Sequence, residues 1–149
     1  QSRGVDLDLT WQASPQWHSL LALSRASATI SEDSRASLVG KQLFNVPRTT
    51  ARVATRYTLG SGSALPGLGL GLGLTHHSAL PGDNTNSYFT PSATVFDAQA
   101  GYRLGQVQLS LNVRNLTDKK YWQPSRDVGG GQLTPAPRRT VALQGQVTF

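Results

Sequence analysis

The side chains best suited to chemistry are His76 and His77, with His18 the only other histidine. They follow a Leu/Gly ladder, and neighbours in a strand point to opposite faces, so the pair cannot grip one metal together. Either one can still touch a ligand, and no metal site is expected. Cysteine is absent, which removes disulfides, thiolate ligands and a cysteine nucleophile. No Gly-x-Ser-x-Gly elbow, His-x-x-x-His spacing or paired-carboxylate helix occurs. Neither enzymatic activity nor a cofactor is expected. The glycines at 67, 69, 71 and 73 alternate strictly and lack the offset of a nucleotide loop. Net charge is +6 and the pI is about 10.3, which by itself suggests an anionic partner. The basic residues are scattered except at Lys119-Lys120 and Arg138-Arg139. A solvated surface or a polar lumen accounts for that scatter, and nucleic acid is not expected.

The elements that must position these residues read as strands. The 149 residues suffice for one domain, and 38% hydrophobic content is low for a packed soluble core. No window approaches the ~20 apolar residues of a spanning helix. Seven segments instead alternate with period two. In residues 5–12, Val5, Leu7, Leu9 and Trp11 oppose acids and amides. Residues 17–30 are less regular, and in 51–57 Val53 and Tyr57 oppose Arg52 and Arg56. Residues 67–74 set leucine against glycine. In 95–104, Phe96, Ala98, Ala100 and Tyr102 oppose Asp97, Gln99 and Gly101. Residues 107–115 and 140–149 complete the set, the last with Val141, Leu143, Gly145, Val147 and Phe149 on one face. Most of these runs exceed the ~5–6 residues of an average globular strand and match the ~9–11 that a tilted strand needs to cross hydrocarbon.

The connections alternate in length. Residues 13–16, 59–66 and 105–106 are short, while 31–50, 78–94 and 116–137 are long. That order follows if short turns lie at one end of an up-and-down barrel and long loops at the other. The expected fold is therefore all-β, an antiparallel transmembrane β-barrel. Seven strands do not close such a barrel, which uses an even number from about 8 upward. The chain starts without methionine and its last strand runs to Phe149, so residues 1–149 are expected to be the C-terminal portion of a larger barrel.

Three stretches resemble the C-terminal part of TonB-dependent outer-membrane receptors, particularly the ferric-siderophore branch. They are Gly40-Lys41-Gln42-Leu43-Phe44-Asn45-Val46-Pro47-Arg48, then Leu111-Asn112-Val113-Arg114-Asn115-Leu116-Thr117-Asp118-Lys119-Lys120-Tyr121, and Pro137-Arg138 running to Phe149. Thr117 stands where the family usually has phenylalanine, and Gly145 interrupts the apolar face. The resemblance implies a bacterial outer-membrane location and a 22-stranded barrel. It also implies a plug domain, gated through the TonB complex and absent here together with its TonB-contacting motif. The implied function is ferric-siderophore uptake. Receptors for haem, cobalamin or a sugar share such a wall, and a small stand-alone barrel acting as adhesin or enzyme is the reading from another class.

The same resemblance gives the candidate sites their meaning. His76, His77, Tyr88, Trp122 and Arg126 are the candidate ligand contacts. Tyr88, Phe89, Tyr121 and Trp122 equally suit loop packing or an aromatic girdle with Trp11. Lys41, Arg126 and Arg138 suit an anionic ligand, lipopolysaccharide phosphates or plain solvation. Val141, Leu143, Val147 and Phe149 form the expected signal for the barrel-assembly machinery. The ladder glycines leave room on the inner face for a plug. Asn115-Leu116-Thr117 has the glycosylation spacing, without meaning in a bacterial outer membrane.

Overall fold

The computed structural model describes residues 1–126 and 132–148. Its body is one antiparallel sheet ordered β1-β2-β3-β4-β7-β8-β11. The strands are β1 (Ser2–Ser14), β2 (Trp17–Ala28), β3 (Thr49–Thr58), β4 (Gly69–His77), β7 (Ala93–Leu104), β8 (Val107–Arg114) and β11 (Thr140–Val147). Four short strands lie within the loops: β5 (Leu80–Pro81) pairs with β6 (Phe89–Thr90), and β9 (Trp122–Arg126) with β10 (Gln132–Pro135). A single 3₁₀ turn, Ala36–Leu38, is the only helical element among the described residues.

Each body strand pairs with the next one in the chain, skipping only the loop strands, as an up-and-down wall requires. β1 and β11 do not pair with each other, so the wall is open. All seven expected segments are strands, with ends moved by a few residues. Gly67 and Leu68, expected in the fourth strand, belong to the preceding turn, because Gly67 adopts φ +81°. Gly105 supplies the positive φ of the two-residue β7–β8 hairpin.

Register carries the period-two pattern across the whole sheet. Leu9, Leu21, Val53, Leu74 and Phe96 are successive cross-strand partners and share one face. So do Ala100, Leu111 and Leu143. On the opposite face Gln12, His18, Arg56, Gly71, Gln99, Asn112 and Ala142 form a continuous row of polar or small side chains. A one-residue slip in any pair would exchange the two faces.

Among the described residues no second layer covers the apolar face: Leu72 is 61% and Leu143 74% exposed. The buried residues collect instead at the long-loop end, among them Leu38, Leu80, Thr90, Ala93 and Ala136. Hydrophobic burial within the chain therefore does not hold the sheet. Its ladder hydrogen bonds do, and these keep their value in hydrocarbon, where an unpaired backbone group costs several kcal/mol.

The ladder glycines face the polar side, as expected, but the space they release is partly taken. A Cβ at Gly69 would sit 2.7 Å from the Arg56 Nη2, and one at Gly71 only 2.5 Å from the Gln99 Nε2. At Gly73 the nearest atom is the Asp97 Cβ at 3.6 Å. Glycine here first admits the long side chains of β3 and β7, and within β4 only at Gly73 would a Cβ make no more than ordinary contact.

Candidate functional site

Order at the long-loop end comes from side chains that stand in for backbone. In residues 29–48, Ile30 N–H donates to Lys41 O at 2.9 Å and Gly40 N–H to Ile30 O at 2.8 Å. This closes a small hairpin over the buried Leu38. Residues 78–92 dock on it. Asn86 Oδ1 accepts from Gln42 N–H at 2.7 Å, and its Nδ2 donates to Gln42 O at 2.8 Å. Asn84 Oδ1 accepts from Phe44 N–H at 2.9 Å, and Asn45 N–H donates to Pro81 O at 3.0 Å. The buried Gln42 side chain donates to Val46 O at 2.9 Å and accepts from Arg48 Nε at 3.0 Å.

Asp83 organises its own loop, accepting from Thr85 Oγ1 and Ser87 N–H at 2.9 Å each and from the Ser87 hydroxyl. Burial raises the pKa of its carboxyl, but these hydrogen bonds together outweigh that and hold it below the usual range.

Asn115 does the same for residues 115–139. It adopts φ +50°, which asparagine tolerates better than most residues. Its Nδ2 donates to Lys119 O at 2.9 Å and Pro137 O at 3.1 Å, while its Oδ1 accepts from Lys119 N–H at 2.8 Å. Its own N–H donates to Asp97 Oδ1 at 2.8 Å, tying the loop to β7. Beyond it Arg138 grips Asp118 with two nitrogens, the Nε contact being 2.8 Å, and Arg139 N–H adds a third bond at 3.0 Å. The Arg138 hydrogen bond foremost, then that of Arg139, holds the Asp118 carboxyl well below its usual range. β5 and β6 both pack against β9, so the three loops form one connected layer.

The adjacent histidines diverge, as strand geometry requires. His76 lies in the apolar-face row of Ala51 and Thr94, its Nδ1 2.8 Å from Thr94 Oγ1. His77 lies in the polar-face row of Thr50 and Ala93. Its Nδ1 is 2.8 Å from Ser78 O, which can only accept, so Nδ1 carries the proton. Nε2 is left as a buried acceptor without a partner, and the ring meets Tyr121 at 6.2 Å. The Tyr88 hydroxyl and Thr90 Oγ1 are also buried without partners.

Of the remaining candidates, Tyr88 packs over Gly82 within its loop, Trp122 is exposed at the start of β9, and Arg126 ends that strand with a side chain that lies outside the description. The structure brings His77 to Tyr121 but not to His76. Val141, Leu143 and Val147 are exposed on the apolar face, and Phe149 lies outside the described residues. Among the described residues no three His, Cys, Asp or Glu side chains come together to hold a metal. Sequence reasoning missed the hubs Gln42, Asp83, Asn86 and Asn115. Asn and Asp beside Ser, Thr and Gly were the available signal, since these side chains mimic backbone turns.

Residues 1–116 match the family described as TonB dependent receptor-like, beta-barrel. The chain is 28% identical over 130 residues to the probable TonB-dependent siderophore receptor PiuA of Acinetobacter baumannii, covering 80% of this chain and 17% of that protein. It is 38% identical over 87 residues to the ferrioxamine B receptor of Salmonella typhimurium, covering 55% of this chain and 12% of that one. The crystal structure of the A. baumannii PiuA superposes with a TM-score of 0.80 at 26% identity, over 97% of this chain and 21% of the other. The chain thus spans less than a fifth of the length of these two relatives. Two-faced strands, alternating turn lengths and these matches have one common source: the chain belongs to the TonB-dependent receptors and forms part of their outer-membrane β-barrel.

Proposed function

We propose that the receptor containing this wall imports a ferric siderophore, energised through TonB by way of a plug domain. Its apolar face meets lipid and lipopolysaccharide, its polar face lines the lumen, and its long loops face outward to capture ligand. The observation that carries this reading is the interlocked loop layer above a lumen-facing His77 whose Nε2 is a buried, unpartnered acceptor. Once the loop layer over it shifts to admit a ligand, a hydrogen-bond donor on that ligand would satisfy this atom. Exposed Trp122 supplies stacking surface for a ferric complex. The names of the relatives support siderophore as cargo. Val141, Leu143, Val147 and Phe149 serve the barrel-assembly machinery, and the wall carries no resident cofactor, catalytic group or nucleic-acid site.

Binding to the intact receptor tests this. Ferrioxamine B, a ferric catecholate, haem and cobalamin would each be titrated while tryptophan fluorescence is followed. Saturable quenching by a ferric siderophore alone is the expected result. Quenching only by haem or cobalamin would reassign the cargo while leaving the wall intact.

A further inference from the structure

The lipid-facing side of the wall is not smooth. It carries a groove of about 670 Å³ that opens at the short-turn end beside Trp17, Tyr57 and Leu70 and reaches mid-strand on β7 and Val113 near the loop end of β8. Its floor is Ala98 and Ala100 on β7, while Thr55 of β3 lines it from the far side of β4. Leu70 and Leu72 of β4 rise on one side of the alanines and Leu111 and Val113 of β8 on the other. Because Ala98 and Ala100 are two residues apart on one face, the trough runs along the strand, and Phe96 and Tyr102 stand beyond its two ends.

Beyond the leucine ridge the wall is held rigid. Trp17 Nε1 donates to Thr55 Oγ1 at 2.8 Å, and Ser19 Oγ lies 2.9 Å from the same oxygen. The Trp17 ring also leans on Trp11 at 5.6 Å. The polar atoms of Trp17 and Thr55 are therefore committed, and apart from Tyr57 and Gln99 the rest of the lining is apolar, which suits a hydrocarbon occupant. All its lining strands, β2, β3, β4, β7 and β8, already have both neighbours within the sheet, so further strands of the barrel would not cover it.

We propose that this groove holds an acyl chain of a single phospholipid as a resident component of the receptor. Lipid is the solvent of this face, so the groove is continuous with the lipid interface, and an empty one would forfeit dispersion contacts along both walls. An extended hydrocarbon chain fits a trough running with the strand. In barrels of this kind the short turns lie on the periplasmic side, so the mouth of the groove beside Trp17, Tyr57 and Leu70 opens to the phospholipid leaflet. The claim does not depend on which cargo the receptor carries.

The test uses the intact receptor in phosphatidylethanolamine/phosphatidylglycerol vesicles doped with phosphatidylethanolamine bearing a mid-chain diazirine. The vesicles are irradiated before and after a chase with unlabelled lipid, and adducts are mapped by mass spectrometry. Adducts on Leu70, Leu72 and Leu111 should exceed those on Leu7 and Leu143 several-fold and outlast the chase. Filling the trough with Ala98→Leu and Ala100→Leu should abolish that excess, with heat-dependent gel migration confirming a folded barrel. If the double variant does not assemble, Ala98→Val supplies the partial fill. Even labelling of the face that the chase removes would overturn the proposal. So would cross-links from these leucines to another protein chain.

Discussion

Asn86 and Gln42, 44 positions apart, exchange two hydrogen bonds in the manner of paired strands, with the asparagine side chain replacing one backbone. Asn86 itself sits at φ +56°, so its main chain turns away while its amide does the pairing. Two long loops are thereby joined as one body. Preorganisation of that kind lowers the ordering cost of binding.

Asn86→Ala should uncouple these loops. Losing both bonds leaves the Gln42 amide and carbonyl without partners, a local cost of about 1–3 kcal/mol for each group left unsatisfied. Limited proteolysis of the intact receptor should show faster cleavage within residues 29–48, with the barrel's thermal unfolding unchanged. Unaltered cleavage would mean that Asn84 and Asn45 suffice to hold the loops.

Acid should loosen the Asp118 clasp. The carboxyl is held below its usual 3.8 by Arg138 and Arg139, so its contribution is fully present above that value. It is lost progressively as pH falls through the depressed folded value. Arg138 is raised by the same contact, so its share is lost only at strongly alkaline pH. Amide exchange at Arg139 in wild type should be slower than in Asp118→Asn at neutral pH. The difference should vanish under strong acid, and a constant difference across that range would contradict the assignment.

Charge placed on the two faces should have unequal effects. Leu72→Arg puts a guanidinium into lipid and should destabilise the barrel by about 2–4 kcal/mol if it lies near the bilayer midplane. Asn112→Arg faces the polar row and should be close to neutral. Denaturant unfolding of the receptor in vesicles measures both, and equal losses would show that the faces have been exchanged.

His77 and His76 should differ in the same sense. His77→Phe keeps the ring beside Tyr121 but removes the buried acceptor, and should weaken siderophore binding by about tenfold, the equivalent of one hydrogen bond. His76→Phe, on the lipid side, should leave affinity within experimental scatter. A larger loss at His76 would place the ligand elsewhere.

Much of this was legible in residue order alone, because strand geometry is local. Period two assigned Leu70, Leu72 and Leu74 to one face and Gly69, Gly71 and Gly73 to the other, and it separated His76 from His77 without any knowledge of their neighbours. The alternation of short and long connections fixed which end carries the loops. Other features were decided only when β3 and β4 brought the roots of distant loops together. Gln42 cannot signal in advance that Asn86 will pair with it, and Asn115 gives no sign that Pro137 and Lys119 will share its amide. The short pairs β5–β6 and β9–β10 are likewise too brief to show a period. Nor does the pattern reveal that Arg56 and Gln99 fill the glycine stripe, or that Ala98 and Ala100 open a trough. Which face a residue takes depends on its own backbone, whereas which atoms it meets depends on cross-strand register, and register is a property of the assembled sheet.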